Sequence, residues 1–227
     1  MSRARAAAAP AAAGAFAALA ALVAHGNLTS LDEWAMHHAM PEAQFTSAKP
    51  TLAEALVPLW GSSWRGVVAV TTDLVTLPAA LLTSAAIVAL ACFAVRGGAA
   101  VALATVYAAG NGVEVLTKET LTRPALFAQG LHVAALDNSF PSGHTIRAAL
   151  VAMAVSCAWP RAWRWAVLWA VSSTVMLELG AQHVPSDIAG GLLLAAGLAV
   201  TTWSWWRAGP STSRRPSPAS RPSARAR

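Results

Sequence analysis

Apolar residues run almost without interruption over about residues 6–24, 74–95, 99–117, 144–160, 163–181 and 187–206. Each run approaches or exceeds the ~18–20 residues that a helix needs to cross a bilayer. The breakers RGG, RPALFAQG to NSFPSG, WPRAW and QHVPSD separate the later runs. This pattern predicts an all-α, polytopic membrane protein, a bundle of six transmembrane helices. The first run follows the basic start MSRAR, so a signal peptide and a membrane anchor are both open. Leu22-Val23-Ala24 before His25 lacks the small-x-small cleavage pattern, and an uncleaved anchor over residues 1–26 is expected.

Residues 27–70 are mixed. LDEWAMHHAM reads as a short amphipathic helix, and PLWGSSWRG as a tryptophan-anchored interfacial turn. Residues 71–207 form the expected membrane core. The Pro/Ser/Arg-rich residues 208–227 read as a disordered basic tail in the cytoplasm, not as a nucleic-acid-binding segment.

Composition agrees with the pattern. Hydrophobic residues make up 56% of the chain and charged ones 11%, and mean hydropathy is +0.51, which excludes an ordinary soluble domain. Ten tryptophans against one tyrosine fit a protein with interfacial anchors. Fourteen arginines against two lysines, with abundant alanine, fit GC-rich bacterial coding. Cys92 and Cys157 lie inside apolar runs without metal-ligand spacing and read as small packing residues.

Charge then assigns sides. With the N-terminus, RGG, WPRAW and the tail on one side, that side holds 11 of the 16 basic residues and no Asp or Glu. The positive-inside rule makes it cytoplasmic, with both termini inside and the 118–144 connection outside. The expected location is the inner or plasma membrane.

Three polar clusters fall on the outer face: KETLTRP at 118–124, FPSGH at 140–144 and QHVPSD at 182–187. Topology alone brings Lys118, Arg123, His144, His183 and Asp187 to one membrane surface. Two histidines, a carboxylate and two cations are the parts of phosphoryl transfer through a phosphohistidine. PSG ahead of a helix is in addition a credible anion seat: Ser142 can cap, and exposed N–H groups face outward at the positive helix end.

These clusters resemble the signature of the type 2 phosphatidic acid phosphatase superfamily, which also includes vanadium haloperoxidases. The order of Lys and Arg-Pro, then Pro-Ser-Gly-His, then His-x-x-x-Asp matches over about residues 70–206. The resemblance implies a helical membrane phosphatase acting on a lipid phosphomonoester or pyrophosphate, such as phosphatidic acid, phosphatidylglycerol phosphate, a polyprenyl phosphate or a phosphorylated glycolipid. It implies that His183 is the nucleophile, that Asp187 orients it, and that His144 protonates the leaving alkoxide and then activates water. Lys118, with the backbone of Ser142 and Gly143, would hold the phosphate. No metal or other cofactor is implied.

The arginines depart from the signature. Ala125 stands where the family's first motif arginine is usual, and Leu177 where its third-motif arginine is usual. A phosphate loses ~1.5–3 kcal/mol per missing charge-assisted contact. Arg123, two residues early, and Arg147, one turn after His144, are the expected replacements, with Glu178 as a pairing partner for one of them.

Other polar residues have plainer readings. Glu114 can pair with Lys118 along one helix face. Thr72 and Asp73 read as the cap of the second span, His37 and His38 as an interfacial face, His132 as surface or lid, and Gly190–Gly191 as a point of close helix approach. Alternatives to a phosphatase are a catalytically silent lipid-phosphate-binding or scaffold member, a phosphotransferase using the same residues, and, less fittingly for so apolar a chain, a haloperoxidase.

Overall fold

The computed structural model describes residues 3–38, 64–128, 130–180 and 182–207. Within these, the apolar runs of the sequence fold as helices, the second of them in two pieces. In chain order the helices are α1 (Arg3–Ala24), α2 (Thr29–His38), α3 (Trp64–Thr76), α4 (Leu81–Val95), α5 (Gly97–Thr120), α6 (Gly143–Ala158), α7 (Trp163–Leu179) and α8 (Pro185–Arg207). A ribbon of two two-residue strands, β1 (Phe127–Ala128) and β2 (Leu131–His132), is the sole extended pairing among the described residues. The fold is an all-α membrane bundle. The segments 39–63 and 208–227, which include most of the expected interfacial turn and the tail, lie outside the described residues.

Three stretches are long and apolar enough to cross a membrane by length and composition: Ala7–Ala24, Val70–Val95 and Gly97–Thr120. Helix α6 and the Pro185–Thr201 part of α8 are apolar but shorter. The bundle surface is oily as well. Leu82 is 83% exposed and Phe93 78%, an arrangement that lipid tolerates and water does not.

Helix α6 is the centre. It packs against α4, α5, α7 and α8, while α1 lies along α8. Ile146, Leu150, Val106 and Ala195 form one core cluster, and Val88, Ala91, Leu103, Val151 and Ala154 another. Gly110 of α5 faces Leu150 and Ile146 so closely that a Cβ there would overlap Leu150. Small residues thus set the helix spacing, as in other membrane bundles.

The second apolar run departs from its expected form. Helix α3 begins at Trp64, so Thr72 and Asp73 lie within it and do not cap it. Thr72 is buried and donates to the Met176 carbonyl at 3.2 Å, and Asp73 accepts from Gln182 at 3.3 Å. The helix then breaks at the 3₁₀ turn Leu77–Ala79, where Pro78 has no N–H to donate. The break frees backbone carbonyls in a place with little water, and side chains of other helices take them up. Val75 O accepts from Trp169 Nε1 at 2.9 Å and from Ser173 Oγ at 3.2 Å; Ala79 O accepts from Arg147 Nε at 2.8 Å.

Candidate active site

The site is built where the 140–144 loop meets the start of α8. Gly190 and Gly191 make this possible. A Cβ on Gly190 would overlap the Phe140 ring, and one on Gly191 would lie 2.9 Å from Ser142 O. The expected close approach at these glycines is therefore an approach of the FPSG loop to α8. Phe140 is buried there and stacks on Phe16 of α1, with centroids 5.9 Å apart. Ser142 N donates to Asp187 O at 3.0 Å, tying the two motifs by their backbones.

Helix α6 opens at this contact. Ser142 is its N-cap, accepting from Thr145 N at 3.3 Å and from Thr145 Oγ1 at 3.0 Å. His144 follows in the first turn, half-buried, and its ring centroid lies 6.4 Å from that of His183 at an angle of 57°. Opposite, the turn 183–187 curls His183 over Asp187: Nδ1 lies 3.3 Å from Asp187 Oδ2, which also accepts from Val184 N at 3.3 Å. Asp187 is fully buried and His183 is 8% exposed. Residues 39 positions apart, His144 and His183, thus face each other across a narrow gap.

Cations stand on two sides of this pair. On the α6 side, Glu114 of α5 accepts from Lys118 Nζ at 2.8 Å and from Arg147 Nη1 at 2.7 Å. Arg147 also donates to Asn111 Oδ1 at 3.1 Å. The carboxylate of Glu114 lies so close to Gly143 that a Cβ there would overlap it. The expected Glu114–Lys118 pair is present; the acceptors of Arg147 are Glu114, Asn111 and the Ala79 carbonyl, not Glu178. Lys118, Arg147 and Glu114 together leave one net positive charge beside the PSGH turn.

On the far side of Asp187 sits Arg123. Its Nη1 donates to Asp187 Oδ1 at 2.9 Å and to Ser139 Oγ at 3.4 Å, and its Nη2 to Asp32 Oδ2 at 2.7 Å. Its side chain is 3% exposed. The guanidinium, expected as a replacement phosphate contact, lies behind the His183–Asp187 pair and is bound to two carboxylates of the protein itself. Its Nε is buried without a hydrogen-bond partner among the described residues.

Asp32 is the residue that sequence reasoning passed over. It was one carboxylate of an amphipathic stretch; in the fold it is fully buried on α2 and accepts from Ser186 N at 3.1 Å and Ser186 Oγ at 2.6 Å as well as from Arg123. Burial pushes its carboxyl up from the usual aspartate range, while the Ser186 hydrogen bonds and Arg123 pull it down. A signal was available, since Asp32 and Ala35–Met36 share one face of α2. Its partner could not be read from spacing. Of the other polar residues, His132 pairs with exposed Asp137 at 2.8 Å, and His38 stacks on Trp34 at 4.8 Å. No group of three or more metal-ligating side chains occurs among the described residues.

A helical membrane fold with one histidine at the head of its central helix and a second facing it from the turn before α8 defines the class. The model of the PAP2 superfamily matches residues 99–210, a segment holding both histidines, Asp187, Lys118, Arg123 and Arg147. The chain belongs to the PAP2 superfamily, a phosphatase-type superfamily of helical membrane proteins. No curated protein and no solved structure matches it.

Proposed function

We propose that the protein is an integral membrane phosphatase that hydrolyses a lipid phosphomonoester or pyrophosphate through a phosphohistidine on the outer membrane face. The observation that carries this is the opposed pair: His183 backed by Asp187, with His144 across a 6.4 Å centroid gap at the head of α6. A proton held on Nδ1 of His183 toward Asp187 leaves the Nε2 lone pair for attack. Nε2 bonds to phosphorus as the P–O bond to the lipid breaks, and His144 gives its proton to the departing oxygen. His144 then takes a proton from water, whose oxygen attacks phosphorus; the N–P bond breaks and inorganic phosphate leaves. Charge distribution suits both steps. The net positive charge of Lys118, Arg147 and Glu114, with the Gly143 N–H at the start of α6, favours the phosphate; the Ser142 N–H, expected to share that role, is given to the Asp187 carbonyl instead. The carboxylates behind His183 favour the cationic phosphoimidazole.

Both chain ends belong in the cytoplasm on this reading, by the arginine bias of their side, with six membrane-crossing helices between them. The deciding experiment is phosphate release by purified protein across a panel of lipid phosphates and diphosphates in detergent. A second reading, a silent lipid-phosphate-binding member, is favoured by one observation: Lys118, Arg123 and Arg147 each hold a carboxylate of the protein itself. Binding of panel lipids without phosphate release would select it.

A further inference from the structure

Asp32 lies outside the segment matched to the superfamily, yet it is more thoroughly buried than His183 and reaches the same turn. Its contacts converge on Asp187 by two routes. Through Ser186 it fixes the first turn of α8, where Asp32 serves as a cap donated by another helix: Oδ1 accepts from Ser186 N at 3.1 Å and Oδ2 from Ser186 Oγ at 2.6 Å. Through Arg123 it holds the guanidinium that binds Asp187 Oδ1.

The charges give this arrangement a purpose. Were Arg123 paired with Asp187 alone, the guanidinium would neutralise the carboxylate that faces His183. Shared between two buried carboxylates, the same guanidinium leaves one net negative charge in the cluster, directed at the imidazole through Asp187 Oδ2. In so dry a place that charge acts strongly.

We infer that Asp32 is a positioning residue of the reaction: by sharing Arg123 and capping α8 it keeps Asp187 negative toward His183 and holds His183 as the Nδ1–H tautomer. This inference rests on the phosphohistidine reading for its kinetic part. The tautomer part stands without it.

The test uses the full-length protein in detergent with dioctanoyl phosphatidic acid or whichever panel lipid is turned over. Asp32→Asn keeps the shape but presents an amide to two donors and removes the charge. It is expected to lower kcat about 10- to 100-fold with KM changed less than about threefold, and Asp32→Glu to recover part of the loss. In the Arg123→Gln background, where the shared cation is gone, Asp32→Asn should cost much less than in the native chain. Equal costs in both backgrounds, or native kcat in folded Asp32→Asn, would overturn the inference.

A second readout is independent of turnover: ¹⁵N imidazole shifts of His183 in histidine-labelled protein. The Nδ1–H tautomer is expected to dominate in the native chain and to lose ground in Asp32→Asn. An unchanged tautomer balance contradicts the inference. If the native chain releases no phosphate from any lipid, the phosphatase reading fails and this spectrum still decides the role of Asp32. Should Asp32→Asn not fold, Ser186→Ala is read the same way, with a severalfold fall in kcat expected and native kcat plus native tautomer balance counting against it.

Discussion

Arg147 Nη1 lies 2.7 Å from Glu114 Oε2, and the two side chains are 10% and 8% exposed. The cation expected as a replacement phosphate contact at the head of the central helix therefore has a buried counter-ion, a helix-break carbonyl and an amide as partners. Removing one member of a buried pair costs about 3–5 kcal/mol, since the other charge is left behind. Arg147→Ala is accordingly expected to lower stability by about 3 kcal/mol or more, measured by thermal or denaturant unfolding in detergent. Arg147→Lys should rescue little, because an ammonium cannot reproduce a planar fork with acceptors on three sides. Native stability in either variant would show that these contacts contribute little.

The crowding of Gly143 against Glu114 gives a coupled prediction. A methyl group at Gly143 displaces the Glu114 carboxylate and with it Lys118 and Arg147. Gly143→Ala is expected to reduce kcat/KM by at least about tenfold, the size of one lost charge-assisted phosphate contact. Residues in contact couple, so Gly143→Ala added to Glu114→Ala should cost far less than Gly143→Ala alone. Strict additivity in this cycle would contradict the contact.

Asp32 predicts a pH dependence of stability. Burial raises its folded-state carboxyl above the unfolded value, so the folded protein binds the proton more tightly. Its contribution to stability is then fully present below the ordinary aspartate range and is lost as pH rises through the raised value. Asp32→Asn lacks this term. The stability difference, native minus Asp32→Asn, is expected to shrink as pH rises from about 3.5 to 7, measured by unfolding at a series of pH values. A difference that grows over that range reverses the sign and contradicts it. A charge that costs stability and is held one residue behind the Asp187 that faces His183, through Arg123, fits the usual trade between stability and activity.

The legible parts of the molecule were those with local signatures. Long apolar runs announce helices, and the boundaries 163–181 and 187–206 fall within two residues of α7 and α8. Glu114–Lys118 was readable because four residues bring side chains onto one face. The break at Leu77–Ala79 was not separated from the apolar run around it, although Pro78 was in view, because apolar content is the same on both sides. Long-range pairing was the main blind spot. Glu178 was a reasonable partner by composition, but α7 turns Ala166, Ser173 and Leu177 inward, a face that Glu178 does not share. Asp32 and Arg123 meet across 91 positions, which no spacing rule spans.

The central claim is that His183 carries the phosphoryl group. The direct measurement is to quench purified protein during turnover of ³²P-labelled lipid phosphate, digest it, and locate acid-labile, base-stable label by mass spectrometry. The account predicts label on His183, its loss together with turnover in His183→Ala, and its accumulation when His144→Ala slows hydrolysis of the intermediate. Phosphate release at the native rate by His183→Ala, or label on another residue, would contradict it.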